Sequence, residues 1–170
     1  INEILDIVMD GDISLKQLTM NRSIQVRHMD IICDAMKMRE IIMNLLSNAI
    51  KYTPTGGTVG ITIEELPSEQ EGYALYRTTV SDTGIGIGKE YIPHLFEAFS
   101  RERSSSESGI KGTGLGLSIV KSFTELMHGT IEVESKPGKG TKFILTIPHR
   151  IASPEEIASR EKADDMEQVK

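Results

Sequence analysis

The chain has 170 residues, of which 38% are hydrophobic and 26% charged, an ordinary composition for one globular domain with a buried core. Its formal net charge of −6 argues against sequence-independent binding to nucleic acid, which needs a basic surface, so we expect no nucleic-acid partner. The single cysteine, Cys33, excludes an intrachain disulfide and favours a reducing, cytoplasmic setting.

The sequence carries no visible membrane span or signal peptide, since no run approaches the roughly 20 apolar residues that a span needs. The first residue is Ile1 rather than methionine. We therefore expect a fragment of a longer protein, and any membrane anchor of that parent would lie outside the fragment.

The N-terminal part is predicted to hold the end of a helix followed by short strands. Apolar residues within 1–9 fit the last turns of a helix with a broad buried face, and a turn follows at 10–12. The apolar pattern then predicts short strands around 13–18, 23–27 and 31–33.

The clearest helix is predicted over residues 35–52, where apolar residues recur near the 3.6-residue period. Asn44 and Asn48 lie one turn apart on its other face, followed by Lys51 and Tyr52. Asparagine is a mediocre helix former, so two on one face suggest a function such as holding a hydrated cation or a phosphate. Solvated polar residues on an exposed face are the alternative interpretation.

The remaining segments are predicted as two hairpins, two helices and a charged terminal segment. In chain order these are a hairpin of 58–65 with 73–81, a short helix within 91–99, a helix over 114–127, a hairpin of 130–135 with 141–147, and a tail over 153–170 that is either a linker or a terminal helix.

Asp82 is predicted at the end of a strand and is followed by Gly84 and Gly86. A carboxylate at this position can accept a hydrogen bond from an exocyclic amine, and the glycines let a planar base lie against the backbone. An Asp-initiated turn explains the same residues without a ligand.

Residues 100–112 are polar and lack periodicity, and a loop of this length inside a compact domain is often functional. Arg101, Arg103 and Lys111 could reach an anion from it, or could be stray charges on a solvated loop. The loop runs into Gly112, Thr113 and Gly114 and then the predicted helix, whose N-terminal N–H groups and dipole suit a phosphate. A tight turn before a core helix is the alternative.

Together these segments resemble the sequence motifs of sensor histidine kinases. Residues 44–53 resemble the N box, 82–86 the first glycine box, 96–99 the F box and 112–117 the second glycine box, in the order and spacing of that family. The resemblance covers residues 23–150 and implies the ATP-binding catalytic domain of the GHKL superfamily. It implies an α/β fold, a two-layer sandwich of a mixed, mostly antiparallel sheet packed against helices.

The resemblance also implies roles for individual residues. Asp82 would bind the adenine amino group, Asn48 would hold Mg2+ with Asn44 as a second candidate, and Lys51 would neutralise phosphate charge. Asn44, Asn48 and Lys51 would form the catalytic set. The other candidate nucleotide-binding residues are Tyr52, Gly84, Ile85, Gly86, Arg101, Arg103, Lys111, Gly112, Thr113, Gly114, Leu115, Gly116, Leu117 and Thr141.

Position 44 separates branches of the superfamily. The gyrase-like and chaperone-like ATPases carry a water-activating Glu there, whereas this chain carries Asn44, whose amide cannot act as a general base. The resemblance therefore implies slow ATP hydrolysis and transfer of the γ-phosphoryl group to a histidine. A nucleotide-binding regulatory module without transfer, and another GHKL ATPase, are the alternative hypotheses.

The acceptor histidine of the family is followed by Glu or Asp, and none of His28, His94, His128 and His149 is. We expect the acceptor upstream, with residues 1–10 ending a dimerisation hairpin, 11–150 forming the catalytic domain and 151–170 a tail or linker. The spacing from the first helix to the strand at 23–27 is shorter than relatives usually have.

The resemblance also implies the partners of this domain. They would be the dimerisation and phosphoacceptor domain of the same kinase, within a homodimer, and a response regulator or a fused receiver domain. Residues 99–103 are similar to the corresponding stretch of hybrid kinases, which carry a receiver domain.

Overall fold

The computed structural model describes residues 16–99 and 114–168, which form one sheet with helices packed on it. The elements in chain order are β1 (Thr19–Gln25), β2 (Ile31–Ile32), α1 (Ala35–Tyr52), β3 (Thr58–Leu66), β4 (Tyr73–Asp82), a 3₁₀ turn (Ile92–His94), α2 (Gly116–Leu126), β5 (Thr130–Lys136), β6 (Gly140–Ile151) and α3 (Pro154–Gln168).

Within the described residues the sheet has six strands in the order β1-β3-β4-β6-β2, and β5 also pairs with β6. Only β1 and β3 run parallel among these pairs; β3–β4, β4–β6, β5–β6 and β2–β6 are antiparallel. The predicted mixed, mostly antiparallel sheet and both predicted hairpins are confirmed.

The core lies between the sheet and the pair α1 and α2. Asp34 begins α1 by accepting a hydrogen bond from the backbone N–H of Lys37 at 3.0 Å. The apolar face of α1 is fully buried against the sheet and α2. Burying each such side chain contributes about 1.5–3 kcal/mol, so this face fixes α1 on the sheet. The largest fully buried side chains include Ile41, Ile42, Leu45, Leu46, Val59, Ile61, Val80, Val120, Leu145 and Ile147.

The prediction for the segment before α1 was partly wrong. Residues 16–18 do not form the strand predicted around 13–18, whose other half lies outside the described part together with the rest of 1–15. The strand predicted around 23–27 is observed as β1 (Thr19–Gln25), shifted toward the N-terminus. This strand is set by parallel pairing with β3, from Thr19 opposite Thr58 to Gln25 opposite Glu64, rather than by its own alternation. Such pairing with a distant segment leaves no local signal.

The C-terminal strand is longer than predicted, because β6 continues through Pro148 to Ile151. On the edge away from β4, β6 pairs with β5 as far as Thr146 and with β2 from Arg150. Pro148 falls between these two ladders and interrupts neither.

The tail forms the terminal helix α3, one of its two predicted forms. Arg150 binds Glu156 through both terminal guanidinium nitrogens, and Arg160 reaches Asp30 at 2.8 Å. The short helix predicted within 91–99 is only a 3₁₀ turn, Ile92–His94, beginning with Pro93 in its first turn. None of the helices in the described part of the chain is long and apolar enough to cross a membrane.

Candidate functional site

Asp82, the last residue of β4, is held in place by main-chain donors. Its Oδ1 accepts hydrogen bonds from the backbone N–H of Gly84 at 2.8 Å and of Thr141 at 3.2 Å. Burial raises the pKa of this carboxyl, and the two backbone bonds oppose that rise. Within residues 16–99 and 114–168, both hydrogen bonds to this carboxylate go to Oδ1, so Oδ2 can accept a bond from a ligand.

The segment after Asp82 lies directly against the C-terminal end of α1. The backbone N–H of Ile85 donates to the Tyr52 carbonyl oxygen at 3.2 Å. A Cβ built on Gly84 would lie 2.5 Å from the same oxygen, so only glycine fits there. Gly86 has φ +70°, and a Cβ on it would lie 2.1 Å from the Lys136 carbonyl oxygen. Both glycines thus approach the protein backbone closely, and the approach of a base predicted for them stays a prediction.

The turn of the β5–β6 hairpin is bonded to the same segment. Gly138 N–H donates to the Ile85 carbonyl at 2.8 Å, and Ile87 N–H donates to Ser135 Oγ at 2.8 Å. Ser135 Oγ also lies 2.8 Å from Thr141 Oγ1. Thr141 therefore orients Asp82 through its N–H, while Ser135 fixes the hydroxyl of Thr141.

Ser135 was missed by the sequence reasoning. It lies opposite Thr141 in the β5–β6 register, which links it to Asp82 through Thr141. A serine at a strand end has no distinguishing pattern of its own, so only the hairpin register, once predicted, could have indicated it.

Asn44 on α1 lies beside the first turn of α2. Its Nδ2 donates to the Glu40 carbonyl at 2.9 Å and to Glu40 Oε1 at 3.1 Å. With both donors engaged, its Oδ1 is the atom that a Cβ on Gly116 would approach, at 2.6 Å. The amide oxygen of Asn44 and the N-terminus of α2 are therefore neighbours.

The rest of the α1 face is half-buried and polar. Asn48, Lys51 and Tyr52 are all partly exposed, and the Lys51 ammonium lies 5.0 Å from the centre of the Tyr52 ring. The helix α2 begins at Gly116, and the positive end of its dipole suits an anionic ligand.

Five of the predicted site residues lie outside the described part of the chain: Arg101, Arg103, Lys111, Gly112 and Thr113. The residues that flank 100–113 are joined to each other, because the Phe99 N–H donates to the Gly114 carbonyl at 3.0 Å. Gly114 has φ +74° and Phe99 φ +62°, a conformation that is rare for a bulky residue. Leu117 packs against the core from α2.

A cavity of about 340 Å³ opens beside Asp82 and the β5–β6 hairpin. It contains no α1 residue and is therefore not the space between Asp82 and the asparagines. Its lining consists of Ser81, Asp82, Glu134, Ser135, Lys136, Lys139, Gly140, Thr141 and Lys142. In the described residues, no cluster of three or more His, Cys, Asp and Glu side chains could hold a metal ion. Amide oxygens such as those of Asn44 and Asn48 are a separate ligand type.

Comparison with known proteins places this arrangement in one family. The model of the family described as "Histidine kinase-, DNA gyrase B-, and HSP90-like ATPase" matches residues 33–151. The sensor histidine kinase TmoS of Ectopseudomonas mendocina is 41% identical over 139 residues, which cover 82% of this chain and 14% of that protein. The sensor protein GacS of Pseudomonas syringae pv. syringae is 42% identical over 67% of this chain and 12% of its own length.

Solved structures of histidine kinases share the fold. The mycobacterial sensor histidine kinase MprB has a TM-score of 0.70 at 25% identity, covering 89% of this chain and 97% of that one. The catalytic domain of histidine kinase ThkA, in a nucleotide-free form, also gives 0.70, at 26% identity over 87% of this chain and 91% of its own. Full-length ShkA in complex with AMPPNP gives 0.70 at 27% identity, over 89% of this chain and 30% of its own.

The predicted α/β sandwich and the predicted family are both confirmed by these likenesses. The chain spans only about a seventh of the length of the curated relatives it matches, at 14% and 16% for the first two. The match takes in Asn44, Asn48, Asp82 and the start of α2. The chain belongs to the family of histidine kinase-, DNA gyrase B- and HSP90-like ATPases, and its relatives in sequence are sensor histidine kinases.

Proposed function

We propose that this chain is the ATP-binding catalytic domain of a sensor histidine kinase and transfers the γ-phosphoryl group of Mg-ATP to a histidine on a dimerisation domain. The observation that carries the proposal is the arrangement at Asp82. One oxygen of this partly buried carboxylate is fixed by the N–H groups of Gly84 and Thr141, while Gly84 and Ile85 pack on the end of α1.

Adenine recognition follows from the two inequivalent oxygens of Asp82. Oδ1 is occupied by backbone donors, which orient the carboxylate, and Oδ2 is left to accept the exocyclic amino group. A hydrogen bond to an ionised acceptor is worth about 1.5–3 kcal/mol, so this contact would supply much of the base affinity. Gly84, Ile85 and Gly86 would lie along the base.

The α1 face fits a magnesium ion. Mg2+ prefers oxygen ligands and keeps several waters, so one or two amide oxygens suffice. Asn44 turns its oxygen toward the start of α2, and Asn48 lies one turn further along the same face. We assign Asn48 as the metal ligand, with Asn44 as the second candidate. The ion would neutralise charge on the phosphates.

The phosphates would lie between α1 and the N-terminus of α2. Lys51 would contribute positive charge and Tyr52 would lie near the ribose and phosphates, while backbone N–H groups at Leu115, Gly116 and Leu117 would bind phosphate oxygens. Lys111, Arg101 and Arg103, together with Gly112, Thr113 and Gly114, are proposed as further phosphate contacts. Phosphoryl transfer depends on such positioning and charge neutralisation more than on covalent chemistry of the protein.

The side chain at position 44 supports transfer over hydrolysis. Asn44 donates both of its amide hydrogens to Glu40 and cannot take a proton from water. We therefore expect slow hydrolysis and delivery of the γ-phosphoryl group to a histidine of another domain. That domain, in a homodimer, and a response regulator or fused receiver domain are the proposed partners.

Two further features of the parent protein are proposed. The exposed free thiol of Cys33 fits a cytoplasmic, reducing setting. We assign residues 1–10 to the end of the dimerisation hairpin, 11–150 to the catalytic domain and 151–170 to a tail or linker.

Transfer from γ-labelled ATP, with this chain alone and with its upstream helices, tests the proposal. We expect label on a histidine only when the helices are present, and little free phosphate in either case. ATP binding without transfer would support the regulatory-module alternative, and rapid release of phosphate would support a hydrolytic ATPase. Absence of ATP binding would reject all three.

A further inference from the structure

The C-terminal end of α1 is capped by a lysine that precedes β1. Lys16 Nζ donates hydrogen bonds to the carbonyl oxygens of Ile50 at 2.8 Å, Lys51 at 2.9 Å and Thr53 at 3.2 Å. An ammonium has three N–H donors, so all of them are used here. The last carbonyls of a helix lack partners inside it and carry the negative end of its dipole, which a cation stabilises.

The backbone of Lys16 is tied to the same place. Gly56 N–H donates to the Lys16 carbonyl at 2.9 Å, and Thr19 N–H donates to the Gly57 carbonyl at 2.9 Å. Lys16 is therefore fixed by its main chain to the turn that follows α1 and by its side chain to the helix end. The contacts span more than 30 positions of sequence, which is why no local pattern predicts them.

The carbonyl between those that Lys16 binds belongs to Tyr52, and it faces the nucleotide site. Tyr52 O accepts the N–H of Ile85 at 3.2 Å and limits position 84 to glycine. Four successive carbonyls at the end of α1 are therefore bonded: three accept hydrogen bonds from Lys16, and the fourth, that of Tyr52, accepts one from the glycine segment after Asp82. Lys51 and Tyr52, the residues of this turn, are also the ones assigned to the phosphates and ribose.

We propose that Lys16 is a positioning residue for the nucleotide site, acting through the last turn of α1. The proposal rests on the function proposed above and adds a residue outside its motifs. The ammonium holds the Tyr52 carbonyl where Ile85 meets it and holds Lys51 and Tyr52 toward the phosphates. Because Lys16 lies three residues before β1, the geometry of the site depends on the position of the segment that leads into this strand.

Substitution Lys16→Met removes the three donors and keeps most of the side-chain length. We expect the affinity for Mg-ATP, measured by calorimetric titration, to fall about tenfold, since tenfold corresponds to about 1.4 kcal/mol and a hydrogen bond to a charged group is worth about that or more. Lys16→Arg keeps the charge and the donors, and its affinity should stay within about threefold of wild type.

A control variant remote from the site separates positioning from general destabilisation. Tyr76→Phe removes a hydrogen bond of 2.8 Å from the Tyr76 hydroxyl to the His28 carbonyl, six residues along β4 from Asp82. Six strand residues span roughly 20 Å, so this control is remote from the nucleotide. Its affinity for Mg-ATP should equal that of the wild type.

A second readout needs no nucleotide. Amide hydrogen exchange at Ile85, followed by NMR in the ligand-free protein, should be faster in Lys16→Met than in the wild type, relative to amides of the β5–β6 ladder. In Tyr76→Phe the exchange at Ile85 should be unchanged.

The outcomes distinguish this proposal from the function on which it rests. Wild-type binding by Lys16→Met, or an equal loss in Lys16→Met and Tyr76→Phe, would overturn the positioning role and leave the proposed function intact. If Lys16→Met does not fold, the exchange and affinity of Lys16→Gln decide in the same way. Failure of the wild type itself to bind Mg-ATP would overturn both.

Discussion

The two ends of strand β4 are built by different means. At the site end, defined by Asp82, Gly84–Gly86 and Gly140–Thr141, backbone N–H and carbonyl groups make most of the bonds and glycines permit close approach. At the far end, defined by His28, Glu65, Tyr76 and His149, side chains make the bonds. The site end is therefore sensitive to an added Cβ, and the far end to the loss of a polar group.

The far end is a connected network. Glu65 accepts hydrogen bonds from the backbone N–H groups of Arg27 at 2.6 Å and His28 at 2.8 Å, and its Oε1 lies 2.7 Å from His28 Nδ1. Tyr76 donates to the His28 carbonyl, and its ring centre lies 5.5 Å from that of His149. Burial raises the pKa of Tyr76 to about 12 and lowers the pKa of His149.

The pKa values of the carboxylates at the two ends are shifted in opposite directions. Burial raises the pKa of Asp82 despite its two backbone bonds. Burial would also raise the pKa of Glu65, but the bonds from His28 and Arg27 outweigh it and hold that pKa below its ordinary value. Ionised Asp82 therefore lowers the stability of the fold, whereas ionised Glu65 contributes to it. A carboxyl whose pKa is raised by burial beside a cleft is a candidate functional group, which is how we interpret Asp82.

The largest expected effect compares two glycines of nearly equal φ. Gly86 (φ +70°) would place a Cβ 2.1 Å from the Lys136 carbonyl, whereas Gly138 (φ +73°) has nothing within 4 Å. Gly86→Ala should cost about 3–4 kcal/mol of unfolding free energy, from left-handed strain plus overpacking, and Gly138→Ala only about 1 kcal/mol, from strain. Urea denaturation measures both. Equal losses would contradict the crowding at the site end.

The next largest effect concerns the metal ligand. Asn48→Ala should lower Mg-dependent phosphoryl transfer to an intact dimerisation domain by on the order of a hundredfold, because the ion loses its protein oxygen. Asn21→Ala, at an exposed asparagine of β1, is the control and should transfer normally. Retained transfer in Asn48→Ala together with its loss in Asn44→Ala would move the metal role to Asn44.

Asp82→Asn should separate affinity from stability. The amide oxygen can still accept the Gly84 and Thr141 bonds, but the charged acceptor for the adenine amine is gone, so Mg-ATP affinity should fall at least about tenfold. At pH 7 the unfolding free energy should stay the same or rise, because the raised pKa makes the native carboxylate a cost above that pKa. Calorimetric titration measures the affinity, and urea denaturation measures the unfolding free energy. Wild-type affinity would reject the adenine assignment.

Glu65→Gln should lower the stability of the fold and leave nucleotide affinity unchanged, the reverse of Asp82→Asn, and its effect should be the smallest of the four. At pH 7 we expect a loss of about 1 kcal/mol of unfolding free energy and an unchanged affinity for Mg-ATP. Since the folded-state pKa of Glu65 lies below its unfolded value, this stabilisation is present above the unfolded pKa and disappears as the pH falls through the folded one. Denaturation curves from neutral pH downward should converge for wild type and variant. A constant difference would show that the charge is not involved.

Elements with strong periodicity or a marked turn were predictable from the sequence. The 18-residue helix α1 was predicted with its observed bounds, because the periodicity of its apolar face is a local signal. Asp82 and the nearby glycines were singled out because their chemistry is unusual at a strand end. The family resemblance supplied the order of the motifs, which no single motif contains.

Features that depend on tertiary contacts were not predictable. The parallel pairing of β1 and the passage of β6 through Pro148 join distant segments, and the bond from Ser135 to Thr141 depends on the register of the β5–β6 hairpin. The same is true of Lys16, whose partners lie 34 to 37 residues away. The backbone atoms that the glycines of the site end contact could likewise be identified only from the folded chain.

Amide NMR spectra recorded during a Mg-ATP titration test the central claim most directly. We expect saturable shifts at Gly84, Ile85 and Thr141, together with the α1 residues around Asn48, and no shifts at Glu65 or His149. Saturable shifts at the far end with none at the site end, or no saturable shifts at all, would contradict the assignment of the site end as the nucleotide site.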